Sequence, residues 1–204
     1  THKVIIDELE IIKKKYGDAR RTIIEDSEED FLDEDLIKEE TVILTLTRFG
    51  YVKRMPVDTY RSQNRGGKGV IGVTTREEDT VIDIFTTSTH SVLLFFTNRG
   101  KVFKLKGYQI PEAGRTAKGT AIVNLLELDA NEKVTTVLPI DSFETTQNLF
   151  MATKLGFAKK TPLASYINIR KGGIIAVTLR DDDDLISVKL SEGNDTVMLV
   201  TNKG

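Results

Sequence analysis

A motif that returns at near-constant spacing constrains this chain more than any other feature. Four apolar runs, Val42-Ile43-Leu44-Thr45-Leu46-Thr47, Val92-Leu93-Leu94-Phe95-Phe96-Thr97, Leu149-Phe150-Met151-Ala152-Thr153 and Val197-Met198-Leu199-Val200-Thr201, each end in Thr, then two residues, then Gly. The marker glycines are Gly50, Gly100, Gly156 and Gly204, separated by 50, 56 and 48 residues. The runs are rich in β-branched and aromatic residues, which favour pleated strands. A second short strand is expected after each glycine, at Tyr51-Val52-Lys53-Arg54, Lys101-Val102-Phe103-Lys104 and Phe157-Ala158-Lys159-Lys160. Pro56, Lys106 and Pro162 stand six residues past the marker; Gly69 and Gly119 stand nineteen past it, and Gly173 seventeen past it. Each unit then closes with an apolar strand, an acidic turn and another strand. The turns are Glu77-Glu78-Asp79, Asn131-Glu132-Lys133 and Asp181 to Asp184.

Repeats of about 40–50 residues with four short strands each are the pattern of propeller-like folds. The expected architecture is all-β: three four-stranded units at 41–90, 91–147 and 148–195, and the start of a fourth at 196–204. Each unit buries a face only against its neighbour. Three units do not close a ring, so the last is expected to expose an edge or to be followed by further chain.

Upstream the pattern differs. Ile5, Leu9, Ile12 and Tyr16 fall on one face of a helix expected over 3–16, with Lys13, Lys14 and Lys15 in its last turn and Gly17 as its cap. The helix reads as the end of a longer element within 1–24, and a chain that starts at Thr1 reads as a fragment. Residues 25–40 hold ten acids against Lys38, a net of −9 that suits a solvated tether.

The whole-chain charge of −2 therefore conceals a body, 41–204, with a net of +5. Its bases share one phase of the repeat. Arg48, Lys53, Arg54, Arg61, Arg65, Lys68 and Arg76 recur as Arg99, Lys101, Lys104, Lys106, Arg115 and Lys118, then as Lys154, Lys159, Lys160, Arg170 and Lys171. Around a ring of related units, equal phase means equal position, so the bases are expected to trace a curved track joining Lys53, Lys104 and Lys159. Such a track suits the regular phosphates of a duplex. The plainer reading is that these bases only solvate exposed strands.

Other chemistries are poorly supplied. There are no cysteines, which excludes disulfides and thiolate metal sites, and only His2 and His90. His90 reads as a turn or packing residue, and Asp181 to Asp184 as an acidic turn rather than a cation site. Phe95, Phe96, Phe103 and Phe150 read as core rather than as base-stacking platforms. No apolar run approaches the ~20 residues of a membrane span. With no signal pattern at the N-terminus, the expected location is cytoplasmic.

The most distinctive local feature is Gln63-Asn64-Arg65-Gly66-Gly67-Lys68-Gly69. Three glycines among two bases let a backbone approach a phosphate closely and aim its amides at it. It is not a Walker loop, because no Gly-Lys-Ser/Thr stands at the required spacing. The heptad resembles the seven-residue box, Gln-Arg-Arg-Gly-Gly-Lys-Gly, of the C-terminal domain of the DNA gyrase A protein family. Asn64 stands where that box has Arg, which removes one positive charge. Gly50-Tyr51-Val52-Lys53-Arg54 with Pro56 and Tyr60 resembles the first blade of the family, and Phe95-Phe96-Thr97-Asn98-Arg99-Gly100-Lys101-Val102 its second. Tyr16-Gly17-Asp18-Ala19-Arg20-Arg21-Thr22 resembles the end of the breakage-reunion portion.

This resemblance implies a six-bladed β-pinwheel whose basic rim bends duplex DNA with fixed handedness, aided by the box. It implies two protein partners, gyrase B and a second copy of gyrase A, in an A2B2 holoenzyme. That holoenzyme is a type II topoisomerase that supercoils DNA. ATP and Mg would act there through gyrase B and the DNA gate, with no cofactor on this segment. The cleaving tyrosine of the family lies in the N-terminal portion, so no catalytic residue is expected here. Alternatives are the C-terminal domain of topoisomerase IV, which has fewer blades and an eroded box, and a propeller-like protein-interaction module.

Overall fold

The computed structural model describes residues 2–18, 22, 33–57 and 79–200. Two units are distinguished by their internal contacts, 1–36 and 37–204. In the first unit, α1 (His2–Tyr16) forms where the apolar periodicity places it, and none of its side chains is buried. Lys13, Lys14 and Lys15 occupy its last turn. Gly17 donates its amide to the Lys13 carbonyl at 2.8 Å, and a Cβ on Gly17 would lie 2.3 Å from that oxygen. A single 3-10 turn at Asp33–Leu36 completes what is described of this unit.

The second unit is built from β1 (Thr41–Thr47), β2 (Tyr51–Pro56), β3 (Val81–Ser88), β4 (Val92–Thr97), β5 (Lys101–Lys106), β6 (Thr120–Ala121), β7 (Val134–Ile140), β8 (Asn148–Thr153), β9 (Ala158–Pro162), β10 (Ile174–Ile175) and β11 (Leu185–Ser191). They form three sheets, ordered β3-β1-β2-β6, β7-β4-β5-β10 and β11-β8-β9. The boundary with the first unit falls at Ile37, so the acidic stretch does not run free to residue 40. Thr89 donates its amide to the Glu40 carbonyl and accepts the Glu40 amide on its hydroxyl, and that hydroxyl donates to the Lys38 carbonyl. Nε2 of His90, a turn residue, lies 2.8 Å from the Ile37 carbonyl.

The Thr-x-x-Gly signature is one hairpin made three times. The amides of Gly50, Gly100 and Gly156 donate to the carbonyls of Thr47, Thr97 and Thr153 at 2.9, 3.0 and 3.0 Å. The same threonine hydroxyls accept the amides of Tyr51, Lys101 and Phe157. The glycines have φ of 78°, 76° and 87°, the left-handed region that a hairpin loop of this kind requires of its last residue.

The four strands of a sheet do not all come from one repeat, as the sequence pattern suggested. β6 belongs to the second repeat but pairs with β2, through Tyr51↔Ala121 and Val52↔Thr120. β10 belongs to the third repeat but pairs with β5, through Val102↔Ile174 and Lys101↔Ile175. The first two sheets are thus each finished by a two-residue strand from the next repeat. The third sheet has three strands among the described residues, not the expected four. Residues 196–200, the described part of the expected start of a fourth unit at 196–204, form no strand, and Val197, Met198, Leu199 and Val200 are exposed. A strand needs a partner to satisfy its backbone, and none lies beside this one among the described residues.

Side-chain alternation then builds two cores. Leu93, Phe95, Phe103 and Val137 of the second sheet pack with Leu44, Leu46 and Val52 of the first. Leu94, Phe96 and Val102, on the opposite face, pack with Leu149, Met151, Leu185 and Val188 of the third. β4 is buried on both sides, which is why Leu93 to Thr97 form an unbroken buried run.

Candidate nucleic-acid interface

The three sheets can be aligned residue by residue, and this sorts the expected rim bases. Thr45 pairs with Lys53, Phe95 with Phe103, and Met151 with Lys159. Lys53, Phe103 and Lys159 are therefore equivalent, as are Arg54, Lys104 and Lys160. The expected line through Lys53, Lys104 and Lys159 joins two different positions of the repeat. Successive strand residues point to opposite faces.

Lys53 is 3 % exposed, and its Nζ donates to the carbonyls of Gly114, Arg115 and Ala117 at 3.3, 2.8 and 2.9 Å. Burial pulls its ammonium below the usual lysine range. It cannot reach a phosphate, which corrects its place in the rim. Arg54 is also largely used internally. Its Nε donates to the Ile110 carbonyl, and its guanidinium lies 3.7 Å from Glu40 and 3.9 Å from Glu112.

The other rim bases fall into three groups. Lys101, Lys154 and Lys171 sit beside carboxylates: Asp129 and Glu132, Asp184, and Glu127. The hydrogen bond to Asp129 holds Lys101 above its ordinary pKa. Lys104, Lys106, Lys159 and Lys160 donate to the carbonyls of Ile167, His90, Ala176 and Gly193. Arg99, Arg115, Lys118 and Arg170 have no carboxylate or carbonyl partner among the described residues. The ammonium of Lys118 lies 3.6 Å from the centre of the Tyr51 ring, a contact not anticipated from sequence. Arg61 and the heptad Gln63, Asn64, Arg65, Gly66, Gly67, Lys68 and Gly69 lie outside the described residues.

The acidic phase of each repeat has a structural use that the sequence alone did not reveal. Asp79, Glu132 and Asp183 are buried behind the hairpin turns. Asp79 accepts the Phe49 amide and Asp183 the Leu155 amide, while Glu132 accepts the Thr97 hydroxyl at 2.6 Å. Burial works to raise Asp183, but the Thr153 hydroxyl, the amides of Leu155 and Asp184 and the Arg180 charge outweigh it and hold the carboxyl below 3.8. Asp184 accepts from Asn98. The turn at 181–184 thus ties strands together. A cleft of about 800 Å³ beside it is lined by Arg99, Lys101, Lys154 and Arg180 as well as by these acids.

Consecutive antiparallel sheets, each packed face to face on the next and tied to it by an exchanged strand, define a propeller-type repeat module in which exposed bases and buried acids share out the repeat. A family model described as DNA gyrase C-terminal domain, beta-propeller, matches residues 41–88, 91–141 and 147–192, and the chain belongs to that family. The DNA gyrase A protein of Clostridium acetobutylicum is 56 % identical over 201 residues, covering 98 % of this chain and 24 % of that protein. The chain thus spans about a quarter of the length of such relatives. Among solved structures, the C-terminal domain of DNA topoisomerase IV aligns with a TM-score of 0.66 at 28 % identity, over 77 % of this chain and 47 % of that one. The DNA gyrase A C-terminal domain aligns with a TM-score of 0.57 at 24 % identity, over 74 % and 48 %, and supports the fold alone.

Proposed function

We propose that residues 37–204 bind duplex DNA through its phosphates and bend it around the β unit, as part of a DNA gyrase A protein. The observation that carries this reading is the fate of the two charge signs. Asp79, Glu132 and Asp183 are buried in folding the turns, whereas Arg99, Arg115, Lys118 and Arg170 keep no carboxylate partner among the described residues. Bending a duplex over 20–30 base pairs costs about 1–6 kcal/mol, which many phosphate contacts together offset. The wider reading places the segment in an A2B2 assembly with gyrase B, where ATP-driven supercoiling uses the handed wrap.

Titrating a duplex at several salt concentrations tests the contact. Each phosphate neutralised adds about 0.9 to the negative slope of log affinity against log salt. A salt-independent affinity would overturn the reading. Ligating nicked circles in the presence of the protein tests the wrap. Replacing both Arg65 and Lys68 by Ala should shrink the linking-number shift more than it weakens binding. A second reading, DNA segment capture as a C-terminal domain of topoisomerase IV, has the structural alignment with that domain behind it, but it is the weaker one, because the relatives at 45–56 % identity are DNA gyrase A proteins. That reading predicts binding with no shift in the parent protein.

A further inference from the structure

Arg54 and Lys104 both stand four residues past a marker glycine. Each reaches into the following repeat and donates to a backbone carbonyl there. Arg54 bonds from Nε to Ile110 at 3.0 Å, and Lys104 from Nζ to Ile167 at 2.9 Å. The two acceptors are equivalent. Single 3-10 turns span Gly107–Gln109 and Leu163–Tyr166, and Ile110 and Ile167 are the residues that cap their C-terminal ends. Carbonyls at the end of such a turn have no partner inside it, and a cationic donor suits them. At the first seam the backbone takes part as well. Arg54 donates its amide to the Pro111 carbonyl at 3.2 Å and accepts the Ala113 amide at 3.0 Å. Its guanidinium lies near both Glu40 and Glu112, and its side chain is only 15 % exposed. Lys160, at the same position of the third repeat, donates to Gly193 of its own repeat at 2.7 Å.

The exchanged strands sit at the hairpin end of each sheet. β6 holds Tyr51 and Val52, and β10 holds Lys101 and Val102. The carbonyls of Gly50 and Gly100 accept the amides of Ile122 and Ala176 at that same end. A ladder of two residue pairs is short enough to turn like a hinge. A tie two residues further along the strand lies about 7 Å away, and two separated ties fix an angle that one leaves free. Lys53 adds bonds of its own at the first seam, but its equivalent at the second is Phe103, which packs and donates nothing. The position of Arg54 and Lys104 is where a cation ties both seams.

We propose that Arg54 and Lys104 are positioning residues of the DNA path. They staple each repeat to the next and fix the angle between successive sheets. They thereby set the curvature of the surface around which a duplex bends, without touching its phosphates. A bound duplex works to straighten itself, and a loosened seam yields to it. The inference rests on the wrapping reading for its consequence, while the staple itself is tested without DNA.

The chain has no cysteine, so Phe49→Cys and Leu155→Cys place spin labels at two exposed hairpin tips, one on each side of the two seams. In the full chain the distance between the labels should be narrowly distributed, and the double variant Arg54→Met, Lys104→Met should broaden it. An equally narrow distribution in the variant overturns the staple. With DNA, the double variant should give a smaller linking-number shift in nicked-circle ligation while the salt slope of its affinity stays that of the parent. A slope lowered by about 0.9 for each residue would make them phosphate contacts and overturn the positioning role, as would an unchanged shift. Lys104→Arg keeps a donor and should retain the shift that Lys104→Met loses; an equal loss in both counts against the bond to Ile167. A parent that binds a duplex with no shift sinks the proposed wrap instead, and the label distances still decide the staple. If the double variant does not fold, Lys104→Met alone, which removes an exposed bond, carries both measurements.

Discussion

The first and second sheets share a backbone and differ at one cross-strand pair. In the first, Thr45 stands opposite Lys53, while in the second Phe95 stands opposite Phe103. All four side chains are buried. Both pairs lie against a glycine of the following repeat: a Cβ on Gly119 would meet the Cβ of Lys53 at 3.1 Å, and one on Gly173 would meet the Phe103 ring at 2.9 Å. One position of the fold thus accepts an aromatic ring or an ammonium. The ring fills space and joins the core between the first two sheets. The ammonium fixes the path of the loop beside it. The repeat specifies where a side chain goes, and the residue placed there decides whether the site contributes packing or loop geometry.

Substitutions can break this contrast, and the largest effect belongs to the aromatic side. Phe103→Ala removes a fully buried ring and should lower unfolding stability by about 3–5 kcal/mol in denaturant titrations. Lys53→Met keeps the stem but strips an ammonium from three carbonyls, and about 1–3 kcal/mol should be lost. A loss as large as that of Phe103→Ala would mean that Lys53 carries the core as well as the loop. Thr45 is the weak member of its pair, because its hydroxyl is buried with no hydrogen-bond partner. Thr45→Val should therefore stabilise the protein by about 1 kcal/mol, and a destabilised variant would refute that account of the pair.

The smallest effect extends the contrast to the third sheet and is read against pH. The Asp183 carboxyl is held below 3.8 in the fold, so the unfolded chain binds its proton first as pH falls. Its contribution is complete above that value and is lost as pH drops through the lower, folded one. In thermal melts across that acid range, Asp183→Asn should flatten the decline relative to the parent. A decline of unchanged steepness would show that Asp183 does not drive it.

What could be read from sequence was what is local. The paired strands, the Thr-x-x-Gly hairpins and α1 follow from residue types within one or two turns of chain. β6 and β10 were not legible, because Thr120–Ala121 and Ile174–Ile175 are two residues long and become strands only through distant partners. Among the bases selected by phase, Arg99, Arg115, Lys118 and Arg170 have no carboxylate partners among the described residues, a fact that no local pattern announces. Selection by phase misplaced Lys53, since a lysine on a strand looks like a surface residue until its loop is folded over it. Counting three residues from each marker glycine would have aligned Lys53 with Phe103 and exposed the error.

The exchanged strands also impose an order in time. Tyr51 waits for Ala121 and Val102 for Ile174, partners about seventy residues further along. On a ribosome, neither of the first two sheets is complete until much of the next repeat has emerged. Closing such long loops before their contacts form slows folding. Once formed, the same ties prevent either sheet from opening without unpicking its successor. Heat or force should therefore take the repeats down together, where a simple stack of independent units would lose them one at a time.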